Sequence, residues 1–583
     1  LALPFFKTAT EANPKVEQFW LSYIDALIKD NQFDIAKKVL GNKKVKVLLG
    51  KKIDVLQLEL NTKNKTLQHH NRTEVSHQNN SLINPPQHEL DKLLKYYQNG
   101  QYLDAEKLAL SMTQQFPKHQ FPWKVLGATL KRLGKISEAL VPTEKSMLLA
   151  PEDPEAHYNL GNTLSELDRL EEAEASYKQA IAIKPDYFDS YISLFDILEK
   201  SNKLDEILLI IINTKEKDLD KDPNFLFYEA LVRFRQGDYQ IADTLIKKIN
   251  FNKLTDNRKP DFLNLKANLH HYKKDFKVAF ETFKAMNDLV KNSSDYKNQK
   301  GNDYFNEKRD IVFQLKRLQK KCLYKSIVQS TRFQPTFLVG FPRSGTTLLD
   351  TILRTHSKID VVEEKPMLFK LEQYLGCWPN ISMIEKIDNT VVEIASSFYF
   401  QELKKHVELG KSPIVIDKLP LNILRLPLIN QIFPESKFIL ALRHPLDCIL
   451  SCWMQNFHLN PSMANMVELE KIVDFYCTAM EILKLSNERY SLSIHRIRYE
   501  DLLHDFKNTV SNILTFLNLK WEDELINYQK TALARGLIKT PSYSQVIKPI
   551  YKTASYRWKN YEKYLNPFKE RLEPWLSEYD YLD

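Results

Sequence analysis

Glycine is scarce in this chain, 13 residues in 583, which disfavours a turn-rich β architecture and points to helix. Cysteine is scarcer still. Cys322, Cys377, Cys448, Cys452 and Cys477 form no C-x-x-C pair and show no metal-ligand spacing with histidine, so they read as buried, reduced thiols and the expected compartment is the cytoplasm. Long apolar runs are missing: ILLIIIN, from Ile207, falls well short of the roughly 18 residues that a membrane span needs. The chain is therefore not expected to be integral to a membrane. An excess of one charge is missing as well, since +9 is small for this length and demands no nucleic-acid partner.

What the chain does have is length enough for several cores and, in its first half, a repeated unit. Pro117, Pro151 and Pro185 are spaced by 34 residues, and the same step links Ala105, Ala139 and Ala173 and then Leu126-Gly127 with Leu160-Gly161. Within one unit, Trp123, Leu126, Leu130 and Leu133 recur at helical spacing, Gly134 interrupts, and Ile136, Ala139 and Leu140 resume. Two amphipathic helices are expected. Small residues sit where they approach closely, and each proline stops the second helix. Ala242 and Ala279 continue the series at steps of 35 to 37, and a further unit lies near the start, over NPKVEQFW…KKVL. W-x-x-L-G, then A, then P resembles the tetratricopeptide repeat, which implies an α-helical solenoid whose concave groove could hold an acceptor protein or peptide.

The expected organisation is partial helical repeats over 1–60, a linker over 61–87, a repeat solenoid over 88–320 and an α/β domain over 330–583. The linker is polar and rich in Asn, Gln and His; its histidines lack acidic or cysteine partners at fixed offsets, so no metal site is read there. LPFFKTATEANP overlays EASYKQAIAIKP with Phe6 on Tyr177 and Pro14 on Pro185. By that overlay the sequence begins inside a repeat, and a targeting segment further upstream would not be visible in it.

Beyond residue 330 short β-rich runs alternate with helical stretches, the pattern of a parallel sheet. PTFLVG (335–340), SPIVIDK (412–418) and KFILALRH (437–444) read as buried strands, and Gly340, Lys418 and Arg443 fall at their carboxyl ends, where such sheets bind ligands. FLVGFPRSGTTLL, Phe337 to Leu349, has the two glycines of G-x-x-x-x-G-K-[ST] but carries Thr346 where that motif has lysine. Leu348, Leu349, Ile352 and Leu353 share a face, so the loop opens a helix whose N-terminus favours an anion; the alternative is a plain strand-turn-helix corner capped by Ser344 or Thr346. Hydrolysis of ATP or GTP would need the lysine.

FLVGFPRSGTTLL, EEKP, DKLP, LRHPLDCILS and IRYEDLL together resemble the sulfotransferases that use 3′-phosphoadenosine 5′-phosphosulfate (PAPS), above all the protein-tyrosine sulfotransferases and the repeat-fused bacterial type. The resemblance spans about residues 333 to 565 and implies an α/β, P-loop-like domain with a parallel sheet. It assigns the loop Arg343, Ser344, Gly345, Thr346 and Thr347 to the 5′-phosphosulfate, with Arg343 near the bridging oxygen. Arg443 and Ser451 take the 3′-phosphate, and Tyr499 the adenosine side. Lys548 and neighbouring hydroxyls such as Ser542 belong to the segment folding over the donor. Glu364 is the implied catalytic base, with Glu363 as its rival by adjacency, and Lys418 neutralises charge on the leaving phosphate.

The implied activity is sulfuryl transfer from PAPS to a hydroxyl without metal, with protein tyrosine among the acceptors. The competing function is a repeat scaffold that binds a partner protein and carries an inactive nucleotide-binding domain. Two positions depart from the family: Gln455 stands where the tyrosine enzymes have a basic residue, and Tyr556 where the bacterial relatives' G-R-W would place glycine.

Overall fold

The computed structural model describes Ile24, Leu27 and residues 33–41, 84–214, 221–318, 333–535, 546 and 555–582. Most of the 61–87 linker, the N-terminal overlay and Cys322 lie outside these residues. The chain divides into two compact units, Leu1–Thr163 and Leu164–Asp583.

In the first unit the helices Gln87–Gln98, Tyr102–Gln115, Gln120–Arg132 and Ile136–Leu149 alternate in antiparallel pairs. Their apolar faces close on a core of Leu93, Ala105, Met112, Val125, Leu126, Leu130 and Ala139. Gly127 marks a close approach, since a Cβ there would lie 2.5 Å from Cγ2 of Thr143 on the next helix. Helices end at Gln115, Leu149 and Ile183, each two residues before Pro117, Pro151 or Pro185.

The repeat is also written in the backbone. Left-handed φ values occur at Gly100 (73°), Gly134 (75°), Asp168 (65°) and Asn202 (57°), which are 34 residues apart, and again at Gly237 (94°) and Lys274 (62°). Each position closes the first helix of a pair: Lys135 N–H donates to Leu130 O and Gly134 N–H to Lys131 O, satisfying carbonyls the helix leaves open. Asp and Asn tolerate this region better than most other side chains, which suits Asp168 and Asn202 to the turn that Gly100 and Gly134 make in their own units.

In the second unit the helical pairs continue to Gly301–Arg317, and alternating strands and helices begin at Thr336. Five parallel strands, β1 (Thr336–Gly340), β2 (Ile359–Glu363), β3 (Ile414–Lys418), β4 (Lys437–Leu442) and β5 (Ser493–Arg498), stand in the order β2-β3-β1-β4-β5. The three expected strands are the central ones. The two edge strands escape a search for buried apolar runs because β5, SIHRIR, is polar and largely accessible and β2, IDVVE, is short and interrupted by Asp360. The late repeat helices share the core of the sheet: Ala279, Phe280, Phe283 and Met286 join Phe337, Val339, Phe341 and Trp453 in one apolar cluster.

Candidate active site

Strand order reverses at β1, the position at whose carboxyl end sheets of this kind place their ligands. β1 leads through residues 341–345 into the helix Thr346–Arg354, whose residues up to Leu353 are buried. Gly345 is the N-cap at φ +96° and supplies no side-chain cap, so the corner is not closed by Ser344 or Thr346. Ser344 Oγ is buried without a hydrogen-bond partner among the described residues. A helix start with open N–H groups beside an unsatisfied buried hydroxyl suits an anion that accepts hydrogen bonds.

The glycine has a second reason. A Cβ at Gly345 would stand 2.7 Å from Cδ2 of Tyr499, the first residue of the helix Tyr499–His504 after β5. Gly345→Ala is therefore expected to cost about 1–3 kcal/mol from the clash and the positive φ together. Urea unfolding of wild type and variant measures it.

Cationic groups converge on this loop. Arg343, itself at φ +70°, donates from Nε to Ser451 Oγ at 3.0 Å. Arg443, one residue past β4, donates from Nη1 to the Arg343 carbonyl at 3.1 Å, and its guanidinium lies 5.0 Å from the Tyr499 ring centroid. Arg343, Gly345, Arg443, Ser451 and Tyr499, drawn from three stretches of sequence, thus form one cluster. Ser542 and Lys548 lie outside the described residues.

On the other side of β1, at the ends of β2 and β3, Lys418 is fully buried, with Nζ 2.9 Å from Glu363 Oε1, 2.9 Å from Glu364 Oε1 and 3.9 Å from Asp350 Oδ2. Burial alone would lower its pKa; Glu364, Glu363 and Asp350 outweigh that and hold it above the ordinary lysine value. The reverse balance acts on Glu363: burial pushes it up, but Lys418 and Arg535 draw it below the usual carboxylate value. Asp350 is raised, because burial prevails over Arg354 and Lys418.

The two adjacent glutamates are unlike. Glu363 faces Lys418 and Arg535 and is 10% exposed, whereas Glu364 is 32% exposed, sits at φ +48° and donates its N–H to the Lys418 carbonyl at 2.8 Å. Its carboxylate is the accessible one. Neighbouring Asp417 points to the opposite face of β3, where Tyr399 donates to it at 2.8 Å and burial pushes it up to about 7.

Sequence reasoning missed Asp350 and Arg535. Asp350 had a signal, the i,i+4 pair with Arg354 (3.0 Å) on the helix that opens at the loop. Arg535 had none, because its partners Glu363 and Asp350 lie more than 170 residues away in the sequence. The departures fall beside the cluster. Tyr556 has φ +56°, the conformation that glycine accepts without strain, and Asp447 Oδ2 accepts its N–H at 2.7 Å. Gln455 follows the helix that carries Ser451 and donates from Nε2 to the Asn456 carbonyl at 3.3 Å.

Among the described residues no group of three or more His, Cys, Asp or Glu could hold a metal ion, and no helix is long and apolar enough to cross a membrane. Cys377, Cys448, Cys452 and Cys477 are free thiols, and of these Cys448 and Cys452 are buried.

Residues 335–523 match the family model described as "Sulfotransferase family", and residues 154–187 match "Tetratricopeptide repeat". An uncharacterised Aquifex aeolicus protein is 29% identical over 319 residues, 52% of this chain and 40% of that protein. Protein-tyrosine sulfotransferase 2 of Gallus gallus is 24% identical over 240 residues, 38% of this chain and 62% of that one. The chain thus spans about half the length of these relatives. Among solved structures, the sulfotransferase domain of the Synechococcus PCC 7002 olefin synthase (22% identity, TM-score 0.27, 39% of this chain and 89% of that one) and the pilus biogenesis factor PilW (17%, TM-score 0.30, 35% and 94%) are similar to parts of it. The chain joins a tetratricopeptide-repeat region to a domain of the sulfotransferase family.

Proposed function

We propose that this protein transfers a sulfuryl group from PAPS to a hydroxyl, with a protein tyrosine as the acceptor that its protein-tyrosine sulfotransferase relatives favour. One observation carries the proposal: Arg343, Ser451 and Arg443 meet at the mouth of a glycine loop that has no P-loop lysine, while a buried lysine flanked by carboxylates stands at the end of the neighbouring strand.

In this scheme the loop N–H groups, Ser344, Thr346, Thr347 and Arg343 hold the 5′-phosphosulfate, and Arg443 with Ser451 holds the 3′-phosphate as a bidentate-capable cation beside a hydroxyl. Tyr499 lines the adenosine side, and the resemblance adds Ser542 and Lys548 to the donor-binding residues. Glu364 takes the acceptor's proton as its oxygen bonds to sulfur. The bridging S–O bond breaks, and the electron pair leaves with adenosine 3′,5′-bisphosphate, its charge offset by Lys418 and Arg343. Occupancy of the repeat groove by the acceptor protein fits the same scheme.

Calorimetry with adenosine 3′,5′-bisphosphate tests the donor site. Wild type should bind and Arg343→Ala should bind at least tenfold more weakly, the loss of one charge-assisted contact of about 1.5–3 kcal/mol. No binding by wild type sinks the proposal. Binding without sulfuryl transfer to any tyrosine peptide, sugar or alcohol would move the protein to the scaffold function.

A further inference from the structure

The helix that carries Ser451, Pro445–Trp453, touches the anion loop and the repeats through four consecutive residues. Ser451 Oγ accepts from Arg343 Nε at 3.0 Å, and Cys452 Sγ lies 3.4 Å from the Pro342 carbonyl as its donor. The next two carbonyls point the other way. Asn287 Nδ2 donates to the Trp453 carbonyl at 2.8 Å, and Asn264 Nδ2 to the Met454 carbonyl at 2.7 Å.

These asparagines belong to the last repeat pair, Lys259–Tyr272 and Phe276–Asn292. A helix leaves its final carbonyls without intrahelical partners, and here side-chain amides from another part of the fold supply them. The apolar contact is continuous with the polar one: Phe280 lies 4.5 Å from the Trp453 ring, and Asn287 is itself buried. Two residues beyond Met454, Asn456 Nδ2 donates at 2.7 Å to Asp261, which Arg258 holds at 3.0 Å; Arg258 in turn pairs with Asp196 at 3.0 Å on an earlier repeat helix.

The helix is buried along its whole length, and its first turn is fixed by Asp447, which accepts from the Tyr556 and Trp558 N–H groups at 2.7 and 2.8 Å. The two directional hydrogen bonds from the asparagines to successive carbonyls fix its other end, the one beside the loop. The side chains of the two residues immediately before, Ser451 and Cys452, then meet the loop in one register.

We propose that Asn264 and Asn287 are positioning residues of the donor site, so that the last repeat pair sets where Ser451 and Arg343 stand; this rests on the function proposed above. The repeats are then part of the catalytic unit as well as a docking module.

The test compares wild type with Asn287→Asp, which keeps the shape but turns a donor into a carboxylate facing the Phe283 and Trp453 carbonyls, and with Asn264→Asp and Asn264→Gln at a half-buried position. Affinity for adenosine 3′,5′-bisphosphate and KM for PAPS should each worsen about tenfold in the Asp variants, while kcat at saturating PAPS stays within about twofold, because displacement of the grip weakens binding before chemistry. Asn264→Gln, which retains the amide, should recover part of the affinity. Donor affinity equal to wild type in folded variants, even with a lower melting temperature, overturns the inference and leaves the asparagines structural. If Asn287→Asp does not fold, the Asn264 pair decides by the same criterion. Failure of wild type to bind the bisphosphate would overturn the functional proposal instead, and this inference with it.

Discussion

Glu364→Gln is expected to lower turnover of PAPS by about 10²–10⁴-fold, the range for removal of a general base, while leaving binding of adenosine 3′,5′-bisphosphate unchanged. The substitution preserves shape and the contact with Lys418, and Glu364 is the accessible member of its pair, so the effect should fall on chemistry. Glu363→Gln should behave differently. It removes a charge that Lys418 and Arg535 both face, so its main effect should be a lower melting temperature. Single-turnover assays beside calorimetry separate the two. A Glu364→Gln protein with full turnover would move the base to another residue.

Lys418→Met should have the largest effect on stability, about 3–5 kcal/mol, because it leaves buried carboxylates without their common cation. Loss of turnover should accompany it even where the protein is still folded. The pH dependence has a definite sign. In wild type the raised pKa of Lys418 contributes stability that is fully present below the ordinary lysine value and is lost only as pH rises through the folded-state value. Glu363, held low, contributes stability that is present above the ordinary carboxylate value and is lost as pH falls through its lower folded value.

Without Lys418 the buried carboxylates of Glu363 and Asp350 lose a cation that favours their charged forms and titrate at higher pH, so the folded state gains protons more readily than in wild type. The deficit relative to wild type should therefore shrink as pH falls from about 7 to about 5. Chemical denaturation at several pH values measures it. A deficit that is constant, or that grows in acid, would mean that the carboxylates do not depend on Lys418.

The repeats and the central strands were legible because their signals are local and periodic: a 34-residue step in Pro, Ala and Leu-Gly, and short apolar runs that end at Gly340, Lys418 and Arg443. The edge strands were not, since β5 alternates His495, Arg496 and Arg498 with apolar residues and takes its place only by pairing with β4. The site divides in the same way. Motif residues could be named from the sequence, but that Arg343 rests on Ser451, that Glu363 rather than Glu364 is enclosed by cations, and that Arg535 belongs to this network depend on contacts across the fold. The partition of the chain between Thr163 and Leu164 was equally hidden, because the repeat pattern runs on without a break in composition.

The left-handed turns give the first unit a modular length. Gly100 and Gly134 occupy the same conformation one period apart, so excision of residues 101–134 would splice Gly100 onto Lys135 with the turn geometry, the facing alanines and the helix register all preserved. From Asn202 to Gly237 and on to Lys274 the steps are 35 and 37, and an equal excision there would misphase every contact that follows. A 34-residue gain or loss should therefore be accommodated in the first unit, whereas after Asn202 it would shift helices that also pack in the core of the sheet.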